Sequence, residues 1–252
     1  MAVVEFNWDT VSSLGELNER VIEFLQGKYS TSPWHLAPTA PETVPLLADL
    51  IELNAQGYIT TQGQPALHVY PVRHYLTKEI VLHNGHKLTN VQYGYVDGLL
   101  DTRVYPLDLL IRELSKEPTL CAAIYSYGSQ VSHIMNIPTS TDTKDGIYVL
   151  TKAIEDDTET VIPETTFRIN DVYEFAYEVL DALNDADLQD EVENNCVYVN
   201  FVHNIEPTAD NPHAGVGLER KLITLLQRVR AQSGAGRSRS KARRSTIRRR
   251  RR

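Results

Sequence analysis

The sequence predicts an α+β fold, a single mixed α/β globular body with a disordered basic C-terminal arm. Two observations predict the body. Amphipathic helical patterns alternate irregularly with short β-type runs, which argues against regular βαβ order. The 252 residues are 42% hydrophobic, and this is enough to bury a sizeable core.

Charge separates the arm from the body. Residues 1–219 contain 11 basic and all 33 acidic residues, whereas residues 220–252 contain 14 basic and no acidic residues. A segment rich in Arg and Ser and poor in hydrophobic residues cannot offset its ordering entropy by burial. We therefore expect three parts: an acidic globular body over residues 1–217, a C-terminal helix over 218–231 and an arginine-rich disordered arm over 232–252.

Five helices are predicted from capping residues and from apolar side chains spaced three or four positions apart. The clearest start is Ser13 with Glu16, which have the spacing of a capping box, and Gly27 suits the end of that helix. The last helix has leucines that could dock on the body. The predicted helices span residues 13–26, 41–56, 106–116, 171–184 (with Asn170 as N-cap) and 218–231.

β-Strands are predicted at runs of β-branched and aromatic residues. A short strand at Tyr58–Thr61 should end in the polar turn Gln62–Pro65, and Asn84-Gly85 between two apolar runs predicts a hairpin. The acidic segment Glu155–Thr166 is expected to be an exposed loop, and Glu206–Gly217 a connection. The other predicted strands are Ile80–His83, Val91–Val96, Leu120–Tyr125, Gly146–Thr151 and Cys196–His203.

The cellular setting is predicted from cysteine usage and hydropathy. Cys121 and Cys196 each begin an apolar run, which is typical of buried, reduced thiols. No apolar stretch approaches the roughly 20 residues that a transmembrane helix needs, and the N-terminus lacks a signal-peptide pattern. We expect an intracellular, reducing compartment, with the nucleus or a virion as the location if the source is eukaryotic or viral.

The basic arm is the strongest functional signal. Its arginines are separated by serines and lack aromatic neighbours, which favours contact with the phosphate backbone of DNA or RNA over stacking on bases. A nuclear-import signal and binding to an acidic protein surface, including the chain's own acidic runs, are alternatives. The candidate nucleic-acid-binding residues are Arg237, Arg239, Lys241, Arg243, Arg244, Arg248, Arg249, Arg250, Arg251 and Arg252.

A spaced set of residues in the first hundred positions suggests a family. Trp8, Glu42-Thr43, Gly57–Thr60 and Gln64-Pro65 form this signature. With it, roughly residues 7–98 resemble a small domain of unknown function found in actinobacterial proteins, and the resemblance implies no activity. The basic tail lies outside this region, and its composition is similar to the arms of nucleic-acid-associated virion proteins of large DNA viruses.

A polar cluster is a candidate small-molecule pocket. Its hydroxyl and amide groups follow a strand end, and none of them is a nucleophile paired with a base, so no catalytic residue is predicted. An ordinary strand-ending turn would give the same pattern. The candidate pocket residues are Thr60, Thr61, Gln62, Gln64, Gln92 and Tyr93.

A zinc site needs three or four convergent ligands, and the spacing of His83 and His86, with His68 and His74 upstream, does not by itself indicate one. We expect both to flank the Asn84-Gly85 turn and face solvent. The sequence predicts no metal site and no cofactor.

These observations favour a non-catalytic structural or assembly protein, with a minor virion or capsid component as the most concrete version. Its arm would bind nucleic acid and its body would contact other protein subunits. One alternative is an enzyme or small-ligand-binding domain of unknown substrate, with the arm as a localisation signal. Another is an adaptor whose arm is masked by its own acidic face. A deep pocket near Gly57–Pro65 with a perturbed acid or base would favour the enzyme.

Overall fold

The structure is a computed structural model that describes residues 4–39, 41–74, 77–136, 147–156, 158, 160–168, 172–212 and 217–249. For residues 41–42, 147–151, 161–168 and 235–249 it describes the backbone alone. The predicted N-cap Asn170 and the first residue of the predicted strand at Gly146 lie outside the described residues.

The helices follow the predicted capping and spacing patterns. Ser13 caps the first helix, since its hydroxyl accepts a hydrogen bond from the backbone N–H of Glu16, and Gly27 ends it with a φ of +75°. The helices are α1 (Leu14–Leu25), α2 (Leu47–Ala55), α3 (Leu107–Leu114), α4 (Val172–Asp181), α5 (Ala186–Asn195) and α6 (Leu218–Arg249).

The strands form two antiparallel sheets. They are β1 (Tyr58–Gln64), β2 (Leu67–Val69), β3 (Leu82–His83), β4 (His86–Gln92), β5 (Tyr95–Asp101), β6 (Leu120–Ser126), β7 (Val131–Met135), β8 (Ile147–Glu155), β9 (Val161–Arg168) and β10 (Cys196–His203). The central sheet has the order β1-β5-β10-β6-β7, and the smaller sheet has the order β2-β4-β8-β9 with β3 paired to β4. The mixed α+β body is therefore confirmed.

The core lies around the inner strands of the central sheet. Every residue of β10 is buried, and β5 and β6 are buried except for their last residue. Strands covered on both faces read as nearly continuous apolar runs, as β10 does. The first turns of α6 complete the core with Leu222, Leu225, Leu226 and Val229, which are fully buried.

The helix α5 was not predicted, and two of the predicted helices differ from the prediction in form or length. The segment predicted as one helix over 41–56 begins as a 3-10 helix, Pro41–Leu46, before α2. Pro45 lies inside this 3-10 helix and has no N–H to donate to the carbonyl oxygen four residues earlier. The missing α-helical hydrogen bond explains why the segment begins with the tighter 3-10 geometry. The last helix continues beyond Ala231 to Arg249, since Arg, Lys and Ala have high helix propensity. The disorder of the arm stays a prediction.

The largest errors in the predicted bounds concern two strands and one loop. β1 continues through Gln64, into the predicted turn, because its register against β5 shifts between Thr60 and Gln62 and a bulge at Thr61 absorbs the extra residue. The run Val91–Val96 is divided between β4 and β5. The predicted loop at Glu155–Thr166 includes the end of β8 and most of β9, which pair as a hairpin.

Other predicted features occur as expected. The β3–β4 hairpin turns at Asn84 and Gly85, whose φ values of +50° and +88° suit a type I′ turn. Cys121 and Cys196 are buried and form no disulfide. Among the described residues, no helix combines the length and apolar character that crossing a bilayer requires.

Candidate functional site

A cavity of about 390 Å³ lies between α1, the segment 32–39 and the edge strand β1. One side of it is apolar and includes Phe24 and Leu50. The other side carries the hydroxyl and amide groups of β1. Since none of the described lining residues is Asp, Glu, Lys or Arg, the cavity offers neutral hydrogen-bonding groups beside apolar surface.

Asn54, near the end of α2, fixes the position of β1. Its side-chain amide donates to the hydroxyl of Thr60 at 2.8 Å, and its carbonyl oxygen accepts from the backbone N–H of Thr60 at 3.2 Å. The same amide also donates to the carbonyl oxygen of Leu50 at 2.8 Å. Asn54 is fully buried, so these bonds satisfy groups that water cannot reach.

His35 connects the segment 32–39 to the bulge in β1. Its Nε2 lies 2.6 Å from the carbonyl oxygen of Thr61. Because a carbonyl oxygen only accepts, Nε2 must be the nitrogen that carries the proton in this bond. The His35 ring stacks on Phe24 with 6.3 Å between centroids and 15° between planes. This contact places an aromatic surface beside the polar wall of the cavity.

Four of the six predicted pocket residues, Thr60, Thr61, Gln62 and Gln64, line this cavity. Gln92 and Tyr93 are not among its described lining residues. The Gln92 side-chain amide donates to the Pro65 carbonyl oxygen at 2.7 Å, and the Tyr93 hydroxyl donates to Glu206 at 2.6 Å. These two residues lie away from the cavity because the predicted strand Val91–Val96 is divided, with its first part in β4 of the smaller sheet and its last part in β5 of the central sheet.

A second cavity, of about 280 Å³, adjoins the first, because Trp34, His35, Thr61 and Gln62 line both. The second cavity is acidic. The carboxyl groups of Asp97 and Glu178 line it, and no Lys or Arg occurs among its described lining residues.

Asp97 lies on β5, in register with Gln62 of β1 and Asn200 of β10. Only 8% of its surface is exposed. Its carboxyl group accepts hydrogen bonds from the Asn200 amide and the Tyr198 hydroxyl. Burial raises the pKa of Asp97 to about 7, and the two donors offset only part of that effect. A carboxyl group with this pKa can hold or release a proton near neutral pH.

The sequence interpretation missed Trp34, His35 and Asp97. A signal existed for Asp97 alone, because an acidic residue in the apolar run Tyr95–Leu100 must be buried if that run is an inner strand. Trp34 and His35 lie between elements, and no periodicity marks them.

The described residues contain no group of three or more His, Cys, Asp or Glu side chains placed to hold a metal ion. His83 is exposed, as expected, and its Nδ1 lies 2.6 Å from a carboxylate oxygen of Glu155. Neither Cys121 nor Cys196 lines either cavity.

The candidate nucleic-acid-binding residues fall largely outside the described side chains. Arg237, Arg239, Lys241, Arg243, Arg244, Arg248 and Arg249 lie on the backbone of α6 without described side chains, and Arg250, Arg251 and Arg252 lie outside the described residues.

Two arginines earlier in α6 contact acidic residues of the body. Arg220 forms ion pairs with Asp49 at 2.5 Å and with Glu52 at 3.2 Å, and Arg228 pairs with Glu117. The described basic start of α6 is therefore partly neutralised within the chain.

Part of the chain is similar to methylenetetrahydrofolate reductases. A rice protein, "Probable methylenetetrahydrofolate reductase (NADH)", is 30% identical over 142 residues, which cover 52% of this chain and 21% of that protein. "Methylenetetrahydrofolate reductase (NADH) 1" of maize is 36% identical and "Methylenetetrahydrofolate reductase 2" of Saccharomyces cerevisiae is 38% identical, each over 58 residues. These matches cover 23% of this chain and 10% of each reductase. The chain thus spans about a fifth or less of the length of these relatives.

The uncharacterised N-terminal domain predicted over roughly residues 7–98 is confirmed by a family comparison. Residues 4–104 include α1, α2 and the strands β1 to β5, and so contribute the larger cavity's described walls as well as Asp97. This part of the chain matches the family described as domain of unknown function (DUF6919).

Proposed function

We propose that the body of this chain binds a small, uncharged molecule in the cavity between α1 and β1 and does not catalyse its conversion. The observation that supports this most is the cavity itself. It has about 390 Å³ and is lined by a stacked aromatic pair, Phe24 and His35, and by hydroxyl and amide groups of β1. Small-molecule sites combine apolar walls with a few placed polar groups in the same way.

The lining favours a neutral, flat molecule with hydroxyl or amide groups. The Phe24 and His35 rings offer a surface for a planar group, and Gln64 lines the strand side. Because no described lining residue is Lys or Arg, phosphate or carboxylate groups would find no cationic partner there.

The proposal is for binding because none of the described lining residues is a nucleophile placed beside a base, and Asp97, the acid whose pKa is raised to about 7, lines the adjoining cavity and not this one. The reductases that match parts of the chain are named for methylenetetrahydrofolate and NADH. With both compounds present, we expect the purified chain to leave NADH unoxidised. Oxidation of NADH that depends on methylenetetrahydrofolate would replace this proposal with an enzymatic function.

A fragment screen with uncharged heteroaromatic amides and alcohols tests the binding proposal. Fluorescence of Trp34, isolated by Trp8→Phe, is the readout, since Trp34 lines the cavity. Gln64→Ala should weaken a hit by about tenfold, as expected for losing a hydrogen bond worth about 1 to 1.5 kcal/mol. Gln227→Ala, an exposed substitution on α6, is the matched control. Hits that Gln64→Ala leaves unchanged would contradict binding in this cavity.

A second function is supported by the charge asymmetry of the chain. We propose that the segment 237–252 binds the phosphate backbone of DNA or RNA without sequence selectivity, in an intracellular structural or assembly role that includes other protein subunits. Residues 220–252 contain 14 basic residues and no acidic residue. The arm would bind nucleic acid and the body would place it, as in a minor virion or capsid component. A localisation signal is the alternative role of the arm.

Binding of a generic DNA duplex across a salt series tests the arm. For the full chain, eight to ten phosphate contacts predict a slope of log affinity against log salt of roughly −7 to −9. Replacing Arg248–Arg252 by Gln should reduce the slope by about 4 to 5, and a 1–232 truncation should lose most of the affinity. A salt-independent affinity, or equal binding by the truncation, would contradict the proposal.

A further inference from the structure

We propose that the second cavity, which Asp97 and Glu178 line together with the aromatic rings of Trp34, Phe175 and Tyr198, binds an organic cation, namely an ammonium group on a small apolar body. This site is different from the one in the preceding proposal. It does not require the larger cavity to be occupied, although the two share Trp34, His35, Thr61 and Gln62 as walls.

The charge of the cavity is the first argument. Asp97 is nine-tenths buried, and its described hydrogen-bond donors, the Asn200 amide and the Tyr198 hydroxyl, are neutral. No Lys or Arg occurs among the described lining residues. A buried carboxylate without a cationic partner is costly, and a ligand that brings a positive charge removes that cost.

The aromatic walls are the second argument. A cation near the face of an aromatic ring is attracted by the ring quadrupole, and indole is the strongest partner. The Trp34 indole is held in place, because its Nε1 donates to the carbonyl oxygen of Val179 at 3.0 Å. Phe175 and Val179 come from the same helix, α4, and supply apolar surface for the rest of the ligand.

Glu178 adds a second negative group from α4. Its side chain is exposed, whereas Asp97 is buried in the central sheet. An approaching cation is thus attracted first by a solvated carboxylate and then by a desolvated one, and both act in the same direction. The described cavity of about 280 Å³ admits a single small molecule of this kind.

Binding requires the ionised form of Asp97. The Tyr198 hydroxyl and the Asn200 amide donate to it, the phenol groups of Tyr58 and Tyr95 lie near enough to interact with its charge, and His35 and Glu178 line the same cavity. Since burial raises the pKa of Asp97 to about 7, measurements belong at pH 8, where most of the carboxyl groups are ionised.

The experiment uses the full chain and compares benzylammonium with benzyl alcohol, its neutral counterpart, by calorimetry and tryptophan fluorescence at pH 8. We expect benzylammonium to bind at least tenfold more tightly than the alcohol. We expect Asp97→Asn to weaken benzylammonium at least tenfold and to leave the alcohol nearly unchanged. Asp108→Asn, an exposed carboxylate on α3, is the matched control and should change neither. Unfolding curves establish that each variant is folded.

Glu178→Gln provides a second test that does not disturb the sheet, since this side chain is exposed. It should weaken benzylammonium about two- to fivefold, as expected for a solvated charge pair. The proposal is overturned if the ammonium and the alcohol bind equally, if neither binds, or if neither carboxylate substitution changes the affinity. Gln64 lines the larger cavity alone, so Gln64→Ala tests only the binding of a neutral molecule there. If that proposal fails, the test of cation binding by Asp97→Asn still stands, and if cation binding fails, the test of the larger cavity still stands.

Discussion

Asp97 and Asn200 face each other across β5 and β10, and the Asn200 side-chain amide donates a hydrogen bond to the Asp97 carboxyl group. Both residues are buried in the central sheet, with 8% and 3% of their surfaces exposed. The amide is a neutral donor and compensates only part of the desolvation of a carboxylate. The pKa of Asp97 is therefore raised to about 7.

This pKa predicts how stability depends on pH. The carboxyl group binds its proton more tightly in the folded state than in the unfolded chain, where its pKa is about 3.9. The contribution of Asp97 to the free energy of unfolding is therefore fully present below about pH 4, and it is lost as pH rises through 7. Asparagine does not titrate, so Asp97→Asn should remove this loss. The free energy of unfolding of the variant minus that of the wild type should therefore be larger at pH 8 than at pH 4, by up to about 4 kcal/mol.

Urea unfolding of the wild type and Asp97→Asn from pH 4 to pH 8 measures this difference. Comparing the two proteins at each pH cancels the titration of all other groups. Asp108→Asn, which removes an exposed carboxylate on α3, serves as the control substitution. A constant difference between wild type and Asp97→Asn over this range would contradict the raised pKa.

The second prediction concerns Gly98, where close packing against the neighbouring strand leaves no room for a side chain. A Cβ atom at this position would lie 2.3 Å from the carbonyl oxygen of Ile59 and 2.8 Å from the Tyr58 ring. The first neighbour is backbone of the paired strand β1 and cannot rotate away. Gly98→Ala should therefore destabilise the fold by about 3 kcal/mol or more.

The measurement is thermal or urea unfolding, with Gly15→Ala as the control. Gly15 lies in the first turn of α1, and a Cβ atom there meets nothing within 4 Å. Alanine favours the helix, so this change should be neutral or slightly stabilising. Equal effects of the two substitutions would rule out close strand packing at Gly98.

A third prediction concerns the docking of α6 on the body. Leu222 is fully buried, whereas Gln227 on the same helix is exposed. Leu222→Ala should lower the free energy of unfolding by about 3 kcal/mol, and Gln227→Ala by less than about 0.5 kcal/mol. Differential scanning calorimetry of both variants checks this. If the loss were small, α6 would not be part of the cooperative core.

A related outcome is expected for truncation. The last buried residue described on α6 is Val229. A chain that ends at Gln232 should therefore unfold at nearly the same temperature as the full chain. A large drop in the melting temperature would mean that the basic arm itself packs on the body.

Local signals in the sequence predicted much of the fold. Ser13 and Gly27 bound α1 because capping depends on neighbouring residues alone. Cys196–His203 is a strand because its run is rich in β-branched and aromatic residues. The bulge at Thr61 was not predictable, because it depends on the register against β5. The division between β4 and β5 also arises from pairing with different sheets.

The candidate site shows the same limit. Thr60 and Gln64 were predicted as pocket residues because they belong to one short polar segment at the end of a predicted strand, and both line the cavity. Trp34 and Asp97 are more than 60 positions apart, and the two line one cavity only because β5 pairs with β1 beside the segment 32–39. Long-range pairing of this kind leaves no trace in the spacing of a single sequence.

The last prediction concerns the two thiols. Cys121 is the second residue of the inner strand β6, Cys196 is the first residue of the inner strand β10, and both are buried. Burial raises the pKa of Cys121 to about 12, and it raises the pKa of Cys196 beyond the usual range. The thiolate is the reactive form, so at pH 8 neither residue should react with a disulfide reagent such as DTNB while the protein is folded. In urea both should react rapidly. Cys121→Ser and Cys196→Ser assign any reaction to one position, and fast modification of either thiol in the native protein would show that the sheet opens at that strand under native conditions.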